Sequence, residues 1–234
     1  KRLRARFGID QIARSLDALE ANPASRQVTM QIWDAESDLP SALGAPASDD
    51  VPCNLISSLK VRDGKLHWLQ MMRSNDLMRG TPYNIVQFTI LQEFMAGCLG
   101  VGLGEYLQVA DSLHLYASDV RSFQVREADE VPVSDLSLAL PRPEAESCLK
   151  TVIGFLDSLS SPQLSRESLR DAYSADLPGA YLSLLSIAAA DCARRRGWRD
   201  LQEAAAEICR DPLLRRAWDG WCQRTQQFRS QAAE

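Results

Sequence analysis

The stretch HWLQMMRSNDLMRGTPYNIVQFTILQEF, residues 67–94, changes character twice, and its reading decides the fold. Before Arg73 it reads as a buried strand. From Ile85 onward the apolar residues Ile85, Phe88, Ile90, Leu91 and Phe94 fit a helix face. Between the two runs lie Arg73, Ser74, Asn75, Asp76, Gly80, Pro82 and Asn84. Asn, Asp, Gly and Pro favour turns, so a donor-rich strand-to-helix junction is partly ordinary turn chemistry. An arginine beside a serine at a strand end adds a fixed cation and a hydroxyl donor, a pair suited to an anion such as a phosphate.

Outward from this junction the pattern stays mixed. CNLISSLKVRDGKLHWLQMMR (53–73) reads as two strands joined by an Asp63-Gly64 hairpin turn. Upstream, Ile12, Leu16 and Leu19 recur at helical spacing between Asp10 and Glu20, and the chain ahead of Pro23 resists helical conformation. QVTMQIWD (27–34) alternates as a strand, and residues 37–52 read as a loop. After a helix at 84–98, residues 106–120 read as a strand entering a turn and SFQVREADEVPV (122–133) as a further strand. Beyond Pro143 the pattern is helical only, over 144–158, 179–196, 199–210 and 212–229, with Pro178 and Pro212 at helix starts. A boundary is expected near LPRPE (140–144), dividing an α and β region, 1–140, from a helical C-terminal region, 141–234.

With 234 residues and 45% hydrophobic content, the chain can bury a sizeable core. No run approaches the roughly 18 apolar residues of a membrane span, and no apolar segment follows the basic start, so a cytoplasmic protein without membrane attachment is expected. The six cysteines, at 53, 98, 148, 192, 209 and 222, form no CxxC pair and read mostly as small buried residues, with no metal site. A net charge of −5 argues against general nucleic-acid binding. Lys1, Arg2, Arg4 and Arg6 form a local basic cluster, either a site for an anionic ligand or a solvated start of chain.

Four patches in order, DQIARSLDALEANPASRQ (10–27), VPCN (51–54), MMRSNDLMRGTPYNI (71–85) and SLHLY (112–116), resemble the thymidylate synthase family, which includes phage pyrimidine nucleotide hydroxymethylases. The resemblance covers about residues 1–121 and implies an α+β fold, a mixed β-sheet with packed helices. The helical remainder does not resemble the usual end of a thymidylate synthase. The implied activity is a transferase that moves a one-carbon unit from 5,10-methylenetetrahydrofolate to carbon 5 of a uridine-type 5′-monophosphate, dUMP to dTMP. Cys53 then matches the nucleophile that adds to carbon 6. Arg73 and Ser74 match phosphate ligands, and Arg26 matches one supplied to the other subunit of a homodimer with shared sites. Asn84 matches the reader of the base edge, its amide donating to a 4-oxo group and accepting from the imide hydrogen of uracil. Asp76 matches a residue that contacts the pterin, and His114 and Tyr116 the pair that binds the sugar hydroxyl. His67, inside a strand, is assigned to structure.

Several positions depart from the family pattern. Gln27 stands where the family usually repeats arginine, and Asn54 where a histidine commonly follows the nucleophile. RSND and SLHLY lie closer to the hydroxymethylases. The family's catalytic glutamate, a phosphate-loop arginine and a folate-lining tryptophan would precede Lys1, so the sequence is either a piece of a longer protein or a member that has lost that chemistry. Three readings stay open: methyl transfer, hydroxymethyl transfer by the same covalent cysteine mechanism, and a non-catalytic nucleotide-binding homologue.

Overall fold

Asp63 and Gly64 both adopt positive φ, 51° and 67°, in the computed structural model, the geometry of a two-residue hairpin turn matched to strand twist. They join β2 (Asn54–Arg62) to β3 (Lys65–Asp76) in antiparallel register, Ser57 opposite Gln70 and Leu59 opposite Trp68. The described residues are 2–41, 43–45, 51–120 and 132–231. The chain divides into two compact units, Lys1–Val125 with Ala139–Arg142, and Arg126–Leu138 with Pro143–Glu234.

In the first unit, α1 (Gln11–Ala21) begins at Asp10, whose Oδ1 accepts from the Ile12 and Ala13 N–H groups, both at 3.1 Å, an N-cap. β1 (Thr29–Gln31) pairs antiparallel with β2. It is shorter than the eight residues its alternation suggests, and just past its end the Leu55 carbonyl takes the N–H groups of both Ile32 and Trp33. The outer edge of β1 is closed by a side chain: Gln11 donates to the Gln31 carbonyl at 2.9 Å and accepts from its N–H at 2.7 Å, covering an edge that would otherwise offer unpaired backbone. A single turn, α2 (Ala35–Asp38), follows.

α3 (Thr81–Leu99) carries the chain from β3 to β4 (Gly102–His114), which lies parallel to β3. The sheet order is β1-β2-β3-β4, mixed in sense, and the fold is α+β. Buried Gln92 on α3 donates to the Leu66 carbonyl at 2.8 Å, tying helix to sheet. The core combines Leu16 and Leu19 of α1, Met30, Leu59, Leu66, Trp68 and Met72 of the sheet, and Phe88 and Met95 of α3. Trp68 and Phe88 meet with ring centroids 6.0 Å apart. A further turn, α4 (Ala117–Val120), follows β4. The strand expected over 122–133 lies, up to residue 131, outside the described residues.

The second unit is helical: α5 (Arg142–Leu159), α6 (Arg166–Tyr173), α7 (Gly179–Arg195), α8 (Arg199–Ile208) and α9 (Pro212–Gln231). Its core gathers Leu169, Leu185, Ala189, Ala193, Leu201, Ala205 and Trp218. α6 was not expected from the sequence. It is short and mostly polar, and is held by the Ser165 cap and by burial of Leu169, Ala172 and Tyr173. Cys209 falls just past the end of α8, not within it.

Phe88→Ala should destabilise the first unit by about 3–5 kcal/mol, since it removes a fully buried ring and leaves a cavity beside Trp68. Urea denaturation followed by circular dichroism checks this; a loss under 1 kcal/mol would show that the packing around Trp68 collapses to fill the space.

Candidate active site

The hairpin and the parallel crossover bring three segments distant in sequence to one edge of the sheet: residues 51–54, 73–84 and 112–116. Cys53 is half-buried with a free thiol, one residue before β2. The Arg73 N–H donates to its carbonyl at 2.9 Å. The exposed Arg73 side chain wraps the same loop, Nε donating to the Pro52 carbonyl at 3.1 Å and Nη2 to that of Val51 at 3.0 Å. The guanidinium braces the segment that presents the thiol.

Parallel register sets Ser74 beside Ser112 and Asp76 beside His114. Ser74 Oγ lies 3.3 Å from His114 Nδ1, and the His114 and Tyr116 rings meet edge to face at 5.2 Å. Asp76 Oδ1 accepts from the N–H groups of Met78, at 2.8 Å, and Arg79. The Arg79 N–H, opposed by desolvation and aided by the N–H groups of Met78 and Gly80, holds the Asp76 carboxyl below the usual carboxylate range. Asp76 Oδ2 is buried with no hydrogen bond, and His114 Nε2 lies 3.9 Å from it.

Asn84 stands one turn into α3 and joins a row of amides. It accepts from Asn54 Nδ2 at 3.1 Å and donates to Asn75 Oδ1 at 3.1 Å. Asn54 in turn accepts from Gln70 Nε2 at 2.9 Å, and Asn75 donates to Thr81 Oγ1 at 2.9 Å. Gln70, Asn75 and Thr81 were missed by sequence reasoning. A signal for Gln70 was present: it is the polar member of the series 66, 68, 70, 72, all of which are buried, and a buried amide requires partners.

Arg26 is not brought to this edge. Val28 O accepts from Leu59 N, so the loop before β1 runs beside the far end of β2, and Arg62 donates to the carbonyls of Pro23 and Ala24. From Asn54 to Arg62 is ~26 Å of strand. Nor do the described residues of the N-terminal basic cluster offer open cations. Arg2 pairs with buried Asp38 at 2.7 Å, Arg4 with Asp10 at 2.7 Å and Arg6 with Asp34 at 3.2 Å. His67 is structural in its contacts, its Nδ1 accepting from the Glu105 N–H at 3.2 Å.

Among the described residues, no group of three or more His, Cys, Asp or Glu could hold a metal ion, and no helix is long and apolar enough to cross a membrane.

The family model described as thymidylate synthase matches residues 2–151, and the chain belongs to that family. It is 34% identical over 117 residues to thymidylate synthase 1/2 of Encephalitozoon cuniculi (strain GB-M1), covering 50% of this chain and 37% of that protein. It is also 34% identical over 171 residues to deoxyuridylate hydroxymethyltransferase of Bacillus phage SP01, covering 64% of this chain and 44% of that protein. A solved structure, thermostable thymidylate synthase A from Bacillus subtilis, aligns with a TM-score of 0.46 at 30% identity, over 58% of this chain and 48% of that one. The chain thus spans about half or less of the length of these relatives.

Gly80 joins the turn to α3, and a Cβ built there would lie 2.5 Å from Asn75 Oδ1 and 3.0 Å from the Asp76 backbone. Gly80→Ala should therefore destabilise the protein by about 1–3 kcal/mol through overpacking. The Gly80 backbone is αR, φ −87° and ψ −52°, so in open space the same change would cost no backbone strain and would restrict the unfolded chain. A raised midpoint in thermal unfolding would contradict the close approach.

Proposed function

We propose that this chain carries the nucleophile and nucleotide-binding groups of a one-carbon transferase acting at carbon 5 of a uridine-type 5′-monophosphate, with a methyl group as product. What supports the reading, in a member of this family, is the hydrogen bond from Asn54, the neighbour of Cys53, to Asn84. A thiol and an amide able to read a base edge share one wall. The Cys53 thiolate adds to carbon 6 of the pyrimidine, which makes carbon 5 nucleophilic; after carbon 5 takes up the one-carbon unit and loses its proton, the Cys53 bond breaks and the ring is restored. Arg73 and Ser74 bind the phosphate, His114 and Tyr116 the sugar hydroxyl. Methylenetetrahydrofolate would supply the one-carbon unit, whose bond to the folate nitrogen breaks as carbon 5 loses its proton so that tetrahydrofolate leaves, and for a methyl product it would also supply the hydride, ending as dihydrofolate. The unpaired Asp76 Oδ2 is a buried acceptor that fits an N–H donor of a pterin ring. In this proposal residues 1–140 form the catalytic region and 141–234 an appended helical region.

With 5-fluoro-dUMP and methylenetetrahydrofolate, fluorine blocks proton loss from carbon 5, so the full-length protein should stop as a covalent ternary adduct. Intact-protein mass spectrometry should show both ligands added, peptide mapping should put them on Cys53, and Cys53→Ser should abolish them. Tight nucleotide binding with no adduct would make the non-catalytic reading the better one.

Hydroxymethyl transfer is the second reading, favoured by the similarity to the phage SP01 hydroxymethyltransferase. It uses the same groups but ends with water at the one-carbon unit, so it depends on water reaching the closed site. Tritium release from carbon 5 accompanied by dihydrofolate indicates methylation; release without dihydrofolate indicates hydroxymethylation.

We further propose a homodimer in which Arg26 serves the partner's site. Exposed Met71, Leu107 and Val109 share the outer face of the sheet, Met71 paired with Val109 and Leu69 with Leu107. Such a face suits a self-complementary contact. Arg26→Ala and Cys53→Ala chains, each inactive alone, should recover part of their activity on mixing, because one hybrid site carries neither lesion. A monomer in sedimentation velocity would end this proposal.

A further inference from the structure

The amide row of the site has a fixed direction. At one end the Trp68 indole N–H, which can only donate, and the Ser57 hydroxyl both point at Gln70 Oε1, at 3.2 and 2.6 Å. Gln70 Nε2 must then face Asn54 Oδ1, so Asn54 Nδ2 faces Asn84 Oδ1, and Asn84 Nδ2 faces Asn75 Oδ1. At the other end Asn75 donates to Thr81 Oγ1, and the Thr81 hydroxyl donates at 3.0 Å to the Asp76 carbonyl, which can only accept. Gln70 and Ser57 are fully buried and Asn75 nearly so. Flipping any one amide would set N–H against N–H and oxygen against oxygen at its two neighbours, and Gln70 is fully buried from solvent.

We propose that Gln70, acting through Asn54, and Thr81, acting through Asn75, are positioning residues that lock the side-chain amide of Asn84 in one orientation and so set its choice between uracil and cytosine. The proposal rests on the reading of Asn84 as the contact to the base edge. Within the row Asn84 uses one lone pair of Oδ1 and one hydrogen of Nδ2, so each atom keeps one position for a ligand. Uracil presents an N–H beside a carbonyl; cytosine presents an unprotonated ring nitrogen beside an amino group. An amide free to flip serves both edges, whereas one held from two sides serves only one. Neither Gln70 nor Thr81 need touch the base.

The test measures dissociation constants of dUMP and dCMP by calorimetry on the full-length protein. Gln70→Met removes the donor at the start of the row, Thr81→Val removes the link at its end, Thr81→Ser retains that link, and Asn84→Asp replaces the reader itself. The dUMP preference over dCMP should fall roughly tenfold or more in Gln70→Met and Thr81→Val, and should persist in Thr81→Ser. Should the buried Gln70→Met variant not fold, the Thr81 pair at the partly exposed helix start decides the matter. A ratio unchanged in Thr81→Val and Gln70→Met, while Asn84→Asp shifts it toward dCMP, overturns the positioning role and leaves the base reading standing. A ratio unmoved by Asn84→Asp overturns the base reading itself.

Discussion

Gln70 sits fully buried on the β3 face that otherwise carries Leu66, Trp68 and Met72, and an amide left unpaired there would cost about 1–3 kcal/mol. Relief comes from three directions: Ser57 directly across the hairpin, Trp68 two residues back on the same face, and Asn54 at the mouth of β2. Ser57 can meet Gln70 only in the observed register. A slip of one residue would turn Gln70 to the outer face and strip the Ser57 and Asn54 contacts at once. The same register draws Cys53 O onto the Arg73 N–H, so the requirement of one buried polar group fixes the height of the thiol along the strand.

Topology supplies the rest of the assembly. An antiparallel hairpin returns the end of β3 to the start of β2, and a helical crossover makes β4 parallel, so the carboxyl ends of β3 and β4 lie side by side. That is why Ser74 can meet His114, forty residues on in sequence. The Leu55 bulge stands immediately after the Cys53-Asn54 pair. Bulges bend and re-aim the strands that carry them, and here the bend lies where Asn54 turns toward both Gln70 and Asn84.

What could be read from the sequence follows the range of the forces involved. The Asp63-Gly64 turn, the helix from the 80s to the 90s and the helices starting at Pro178 and Pro212 rest on local chemistry, and the observed elements lie within a few residues of the expected ones. β4 begins at Gly102, ahead of the expected 106, because glycines at 102 and 104 look like a turn. In the fold a Cβ on Gly104 would lie 2.8 Å from the His67 ring, a closeness that no local pattern announces. α6 escaped notice because only Leu169, Ala172 and Tyr173 carry its buried side. Arg2, Arg4 and Arg6 read as either an anion site or a solvated start of chain because Asp34 and Asp38, partners of two of them, lie 28 and 36 residues away. The amide row was invisible for the same reason: each residue type is common in turns or strands, and only the fold shows that they form one series.

The wall built from that row is neutral, so under the proposed function the charge of a phosphate would have to be met at its margin. Arg73 has five N–H donors in all, and two of its nitrogens already donate to Val51 and Pro52. Gln27, where the family usually repeats arginine, adds no charge, and the arginines at 2, 4 and 6 are committed to aspartates. Arg26 is exposed but stands at the opposite end of β2, far beyond the reach of its own side chain to Cys53. A two-fold axis lying between two sheets and running across their strands reverses strand direction, and so sets the Arg62 end of one copy over the Cys53 end of the other. The outer face holding Met71, Leu107 and Val109 is the surface such an axis would bury. In the proposed homodimer, the separation that keeps Arg26 from its own site is what would deliver it to the partner's.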